Sequence, residues 1–253
     1  VIQLRQIVGD RAVHTHDPQD ARARFLAAVE QVPGSASGPA RLCAACVLAL
    51  PVQHAAIAIS VAGVGLEVLA ATDQVAEQQE WTQVTLGEGP GVDAVASGGP
   101  VALLSLAQAA GRWPLFVQEF VGTGLGAMYA FPMQVGTIRV GVLDLYCAAG
   151  EILDGSDFAA AVSISELLAA VLLALGPDDQ LPATLGPWWN QPLATREVHQ
   201  ATGVIMAQLG IDARSAYVRL QAFAFGNRQQ LRDVARGVID RRIRLDQDTP
   251  GAT

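Results

Sequence analysis

Apolar residues recur along this chain with two different periods, and the switches between them mark out its elements. Within PQDARARFLAAVEQV, Ala21, Phe25, Leu26, Val29 and Val32 fall at helical intervals, and PGSASGP ends that helix. A second helix is predicted from about Ala40 to Leu50, closed by Pro51. Period two then takes over. Ile57, Ile59 and Val61 alternate in HAAIAISVAG, Gly63 and Gly65 make a turn, and LEVLAATD returns as the hairpin partner. DQVAEQQEW reads as a short helix leading into VTLG. Three glycines and a proline in GEGPG fix a tight turn, from which VDAVAS opens a helix. GRWPLFVQEFVGTG offers Trp113, Phe116, Val117 and Phe120 as one helical face. LGAMYAFPMQV and TIRVGVLDLYCA are two strands turning at Gly136, and a helix from about Ser156 to Leu175 follows. Helices at both ends of a mostly antiparallel sheet describe an α+β domain.

The last periodic stretch, Ala194 to Leu245, reads as three helices. Val198, Ala201, Val204, Ile205 and Leu209 line the first, and Gly210 stands where a left-handed C-cap is needed. Asp212 is the N-cap of the second, which carries Ala216, Tyr217, Leu220, Phe223 and Ala224 and stops at Gly226. The third presents Leu231, Val234, Ala235, Val238 and Ile239, with Arg228, Arg232 and Arg236 beside that seam at i+4 steps. Helices this short are marginal alone in water, so the three stripes must be buried against one another as a small bundle.

Charge sets this stretch apart. It holds nine arginines against four acids, while the chain as a whole carries −8. A basic end is thus built onto an acidic protein, and its charge alone allows a nucleic acid or an acidic protein as partner. All sixteen basic residues are arginine, which with abundant Ala, Gly and Val suggests a GC-rich coding bias more than a recognition device.

Ala201-Thr202-Gly203-Val204-Ile205-Met206, followed by Ala216-Tyr217, Leu220, Ala224, Leu231 and Val234-Ala235 at their spacings, resembles the ANTAR family of RNA-binding antitermination domains. The resemblance implies a three-helix bundle that binds paired stem-loops in nascent RNA. Thr202 and Gln221 depart from it, standing where a basic residue is common. On this reading the RNA contacts are Arg228, Arg232 and Arg236, helped by Arg196 and Arg219, with Gln200 and Asn227 to bases or sugars. Arg241, Arg242 and Arg244 instead compensate a helix C-terminus. Upstream, Gly87-Glu88-Gly89-Pro90, Val92-Asp93-Ala94, Pro100-Val101 and Val140-Gly141-Val142-Leu143-Asp144-Leu145-Tyr146 in this order resemble a GAF sensor domain of the kind fused to ANTAR in actinobacterial regulators. Gly91 and Ser105 depart from that pattern, where relatives often have Cys and Asp.

Together these readings give an N-terminal arm (1–17), a GAF-like sensor domain (18–175), a linker (176–193), an ANTAR domain (194–246) and a tail (247–253). Trp188 and Trp189 in the linker are expected to dock the bundle onto the sensor. The expected function is a signal-responsive antiterminator that binds RNA stem-loops. Its GAF domain would take a small-molecule ligand of unfixed identity and form a homodimer through the apolar outer helices, 18 to 32 and 156 to 175. Two alternatives are a protein-docking adaptor that ignores RNA and a GAF-type thiol reductase acting on methionine sulfoxide through Cys43, Cys46 and Cys147.

No enzyme activity, cofactor or metal is expected. CAAC lies in an apolar helical run without a second cysteine pair. His14, His16, His54 and His199 lack the spacing of a metal or acid-base site, and GEGPG lacks the Lys-Ser/Thr of a phosphate loop. With no basic-then-apolar leader after Val1, a cytoplasmic protein is expected. Phe158 to Leu175 approaches membrane-spanning length, but Ser163, Ser165 and Glu166 interrupt its middle, so a buried or dimer-forming helix is the reading taken.

Overall fold

The computed structural model describes residues 18–33, 38–61, 65–174 and 196–245. The expected arm, linker and tail, with His14, His16, Trp188 and Trp189, lie outside these residues.

Five antiparallel strands form one sheet in the order β2-β1-β5-β4-β3. Their spans are β1 (His54–Val61), β2 (Gly65–Ala71), β3 (Val101–Leu103), β4 (Leu125–Val135) and β5 (Ile138–Ala148). The predicted hairpins are both present, β1 with β2 and β4 with β5, the latter turning at Gly136 with φ +59°. The three-residue strand β3 is too short to leave an alternating pattern and was not predicted.

One face of the sheet is covered by α1 (Pro18–Gln31), α2 (Gly38–Ala49) and α7 (Gly155–Ala174), whose apolar residues pack with Ile57, Phe131, Leu143 and Leu145. By length and composition, α7 is the one described helix able to cross a membrane. Its Ile164, Leu168 and Leu172 are nevertheless buried in this core, and its interrupting polar residues are used. Arg22 of α1 donates from Nε to Ser163 Oγ at 2.9 Å and pairs with Glu166 through Nη2 at 2.9 Å.

The other face carries α3 (Gln74–Leu86), α4 (Pro90–Ser97), α5 (Leu106–Ala109) and α6 (Pro114–Phe120). Trp113, Phe116, Val117 and Phe120 are all buried here, as their spacing predicted. The expected short helix at DQVAEQQEW is longer than its sequence suggests. Asp73 caps its start, accepting from the amides of Val75 and Ala76 at 2.9 and 3.1 Å, and it runs through Val84 to a left-handed Gly87. Gln79, Glu80, Trp81, Gln83 and Val84 are all buried, so polar residues occupy positions that periodicity assigns to solvent.

The C-terminal helices are α8 (Arg196–Leu209), α9 (Ala213–Gly226) and α10 (Leu231–Ile239). Gly210 has φ +66°, and Asp212 accepts from Ser215 N at 3.0 Å, both as expected. The stripes meet: Val198, Ala201, Ile205, Ala216, Tyr217, Leu220, Ala224, Leu231, Val234, Ala235 and Val238 are buried. Their core continues without a break into Leu66, Val68, Trp81 and Val84, so the bundle rests on the β2–α3 side of the sheet.

Candidate nucleic-acid interface

The seven residues expected to contact RNA do not form one stripe. Arg196 and Gln200 lie on the exposed face of α8, one turn apart. Arg219 is half-buried on α9. Asn227 donates from Nδ2 to Phe223 O at 2.8 Å and so closes the end of α9. Arg228 is exposed but lies in the α9–α10 connection with φ +52°, before α10 begins at Leu231. It therefore does not continue the line of Arg232 and Arg236: the i+4 spacing persists in sequence, but the left-handed backbone at Arg228 interrupts the helix that would carry it. Arg236 bridges within the bundle, donating from Nε to Glu197 Oε2 at 2.7 Å.

Arg232 is turned toward the sheet. Its guanidinium pairs with Glu77 of α3 and lies 5.9 Å from the centre of the Trp81 ring. Three further polar contacts join the two parts. Gln221 Nε2 donates to Val84 O at 2.6 Å, Leu231 N donates to Thr85 Oγ1 at 3.3 Å, and His199 meets Glu67 of β2. Glu67 is 3% exposed. A half-exposed ion pair such as Arg232–Glu77 contributes about 0.2–1 kcal/mol, so the buried apolar contacts supply most of the hold. The polar contacts fix its register.

Thr202 and Gln221 acquire reasons in this arrangement. Thr202 is buried and bonds back to Val198 O at 2.8 Å, a position that cannot take a charged side chain without burying it. Gln221 presents its amide to a backbone carbonyl of α3. Sequence reasoning missed Glu67, Glu77, Trp81, Val84 and Thr85 as a docking surface. An acid and an aromatic one turn apart on a helix with no clear apolar stripe leave little to detect.

Behind α3 lies a second polar constellation. Tyr146 OH donates to Glu80 Oε1 at 2.5 Å, and Gln83 Nε2 donates to Asp144 Oδ2 at 2.7 Å. Gly91 N donates to Gln83 Oε1 at 2.7 Å. Glu80, Gln83, Asp144 and Tyr146 are all fully buried. Gly91 is explained by this network. A Cβ there would lie 2.6 Å from Asp144 Oδ2 and 3.1 Å from Gln83 Oε1, so a cysteine at this position would displace the carboxyl. Burial pushes both acids up, Asp144 well above the usual carboxylate range with Glu80 beside it adding to the rise.

The thiols are poorly suited to nucleophilic chemistry. Cys43, Cys46 and Cys147 are free and buried, and burial raises all three, Cys147 to about 11. Among the described residues, no group of three or more His, Cys, Asp or Glu could hold a metal ion.

Residues 192–239 match the ANTAR domain family model. No curated protein matches the chain. Among solved structures, the chain is similar to the GAF domain of an Acinetobacter phosphoenolpyruvate-protein phosphotransferase. The two are 12% identical with a TM-score of 0.46, over 64% of this chain and 97% of that one. It is also similar to a GAF domain/HD domain protein from Geobacter sulfurreducens, at 10% identity and a TM-score of 0.41, over 66% of this chain and 99% of that one.

Proposed function

We propose that this chain, whose residues 192–239 match the ANTAR domain family model, is a transcription antitermination regulator with a GAF-like sensor and a C-terminal bundle that binds RNA stem-loops. The ANTAR match is the observation that carries this reading, and the exposed Arg196, Gln200 and Arg228 supply a polar and basic surface for it. Residues 18–175 act as the sensor, 176–193 as the linker and 194–246 as the output. The docked arrangement is the resting state, because Arg232 cannot hold Glu77 and a phosphate together. A small-molecule signal at the sheet domain shifts the equilibrium toward a free bundle only by as much as it favours that state. The protein acts in the cytoplasm, and α1 and α7 pair two copies.

RNA carrying paired stem-loops should bind the full chain with an affinity that falls steeply with salt, by counterion release. Arg196→Ala should reduce the slope of log K against log salt by about one unit. Binding indifferent to salt, or none with Glu77→Arg present to open the interface, would overturn the reading.

Gly203 gives an independent check. It lies in the interior of α8, exposed, and an added Cβ would meet nothing within 4 Å. Gly203→Ala should therefore stabilise the bundle by about 0.5–1 kcal/mol. Gly203 shares a helical face with Arg196 and Gln200, so a phosphate backbone drawn close to that face should bind the variant more weakly. Stability and RNA affinity are expected to move in opposite directions, as read by thermal unfolding and filter binding.

One observation favours the adaptor reading: Gln221 and Thr202, where relatives are often basic, serve internal contacts here. In that case a partner would remain bound in a pull-down after nuclease treatment.

A further inference from the structure

Helix α3 presents two adjoining faces to two different environments. Glu77, Trp81, Val84 and Thr85 hold the C-terminal bundle, while Glu80 and Gln83 enter the buried network with Asp144 and Tyr146. Within that network the donors do not suffice. Glu80 Oε1 is served by Tyr146 and Asp144 Oδ2 by Gln83, but Glu80 Oε2 and Asp144 Oδ1 have no donor. Both carboxyls converge on the one Gln83 amide nitrogen, Asp144 Oδ2 at 2.7 Å and Glu80 Oε1 at 3.4 Å, and only a proton on one of them supplies the pair with a further donor. Two ionised carboxylates there, buried without a cation, would repel at close range in a medium that screens poorly.

We propose that the Glu80–Asp144 pair is a proton latch. With one proton held between the carboxyls, α3 keeps the position that grips the bundle; when that proton leaves to solvent, the two charges push α3 from the sheet and the bundle is released. Asp144 carries the proton and donates to Glu80, since Glu80 already accepts from Tyr146.

Among the described residues, no alternative counter-charge is bonded to the pair. Gln79 and Gln83 flank the pair on α3, and α4 contributes the Gly91 amide, while its Asp93 is turned to Arg112 and Trp113. On β5 the titratable neighbour is Tyr146; β1 and β4 place Ala56 and Ala130 opposite Asp144, and α2 brings Cys43. From the bundle, Arg232 reaches Glu77 and the Trp81 ring. Among the described residues no hydrogen bond or ion pair joins an arginine or histidine to Glu80 or Asp144.

Because both acids are raised above their unfolded values, the closed form is favoured at low pH and loses that advantage as pH climbs through the raised range. The latch concerns docking alone and stands whether or not RNA is the partner.

Hydrogen exchange on the full chain, followed through the amides of α9 and α10 and corrected for intrinsic base catalysis, tests it. In the wild type, opening should grow by up to tenfold per pH unit between the ordinary carboxylate range of the released pair and the raised range of the docked pair, then level off, while β4 and β5 stay protected. Asp144→Asn keeps a donor toward Glu80 and an acceptor for Gln83; Glu80→Gln removes the other charge. Both should abolish this dependence and stay closed. Two ion pairs include a histidine, His199 with Glu67 and His54 with Asp73, so both histidines should be replaced by glutamine in a common background. A pH response in that background unchanged by Asp144→Asn and Glu80→Gln, or no response between pH 5 and 9, would overturn the latch.

Discussion

Gly141→Ala should destabilise the chain by about 3 kcal/mol or more, seen as a lower urea midpoint at unchanged slope. Gly141 lies in β5 opposite Ile59 of β1 and Met133 of β4, in the middle of the sheet. A Cβ there would stand 2.8 Å from Ile59 Cα and nearer still to Ala58 O. Both are backbone, so no side-chain rotation relieves the clash; β1 and β5 must part, breaking the ladder that joins the two halves of the sheet. Gly203→Ala is the internal contrast, because the same methyl group enters open space there and should raise stability. An unchanged midpoint for Gly141→Ala would mean that β1 and β5 do not meet in this register.

The same residue shows what kind of information the sequence carries. Val140-Gly141-Val142 is recognisable as part of a motif, but the reason for its glycine, the close passage of β1, is a fact of tertiary approach that no local pattern encodes. Periodicity located most helices and both hairpins because each buries one face against a single core. It underestimated α3, where Gln79, Glu80 and Gln83 are as buried as Trp81 and the contrast between faces disappears. The bundle was legible in Val198, Leu220, Val234 and their neighbours, and so was its basic character. What those arginines do was less legible. Arg228, Arg232 and Arg236 are evenly spaced in sequence, yet they end up in a loop, on the sheet domain and on Glu197 respectively. Charge and spacing describe where a guanidinium can reach; its partner is decided by which acid the fold brings near, and Glu77 is more than 150 residues away along the chain.

That pairing leads to the largest effect expected on function. Glu77→Arg should raise the affinity of the full chain for stem-loop RNA by about fivefold to thirtyfold at fixed salt. The substitution removes the Arg232 ion pair and sets two guanidiniums against each other beside Trp81, a penalty of about 1–2 kcal/mol on the docked form. Released bundle gains population by the same factor while docking still limits binding. Glu77→Gln adds no charge and should move affinity in the same direction by less, which separates release from simple attraction of RNA to a new arginine. Arg232→Glu combined with Glu77→Arg restores opposite charges across the interface, so hydrogen exchange in α9 and α10 should return toward wild type. The pair would then be closed and would also lack a phosphate-binding group on α10, and its RNA affinity should fall below that of either parent. Equal RNA affinity for wild type, Glu77→Gln and Glu77→Arg would mean that the bundle binds without leaving α3, and that Arg232 serves the fold alone.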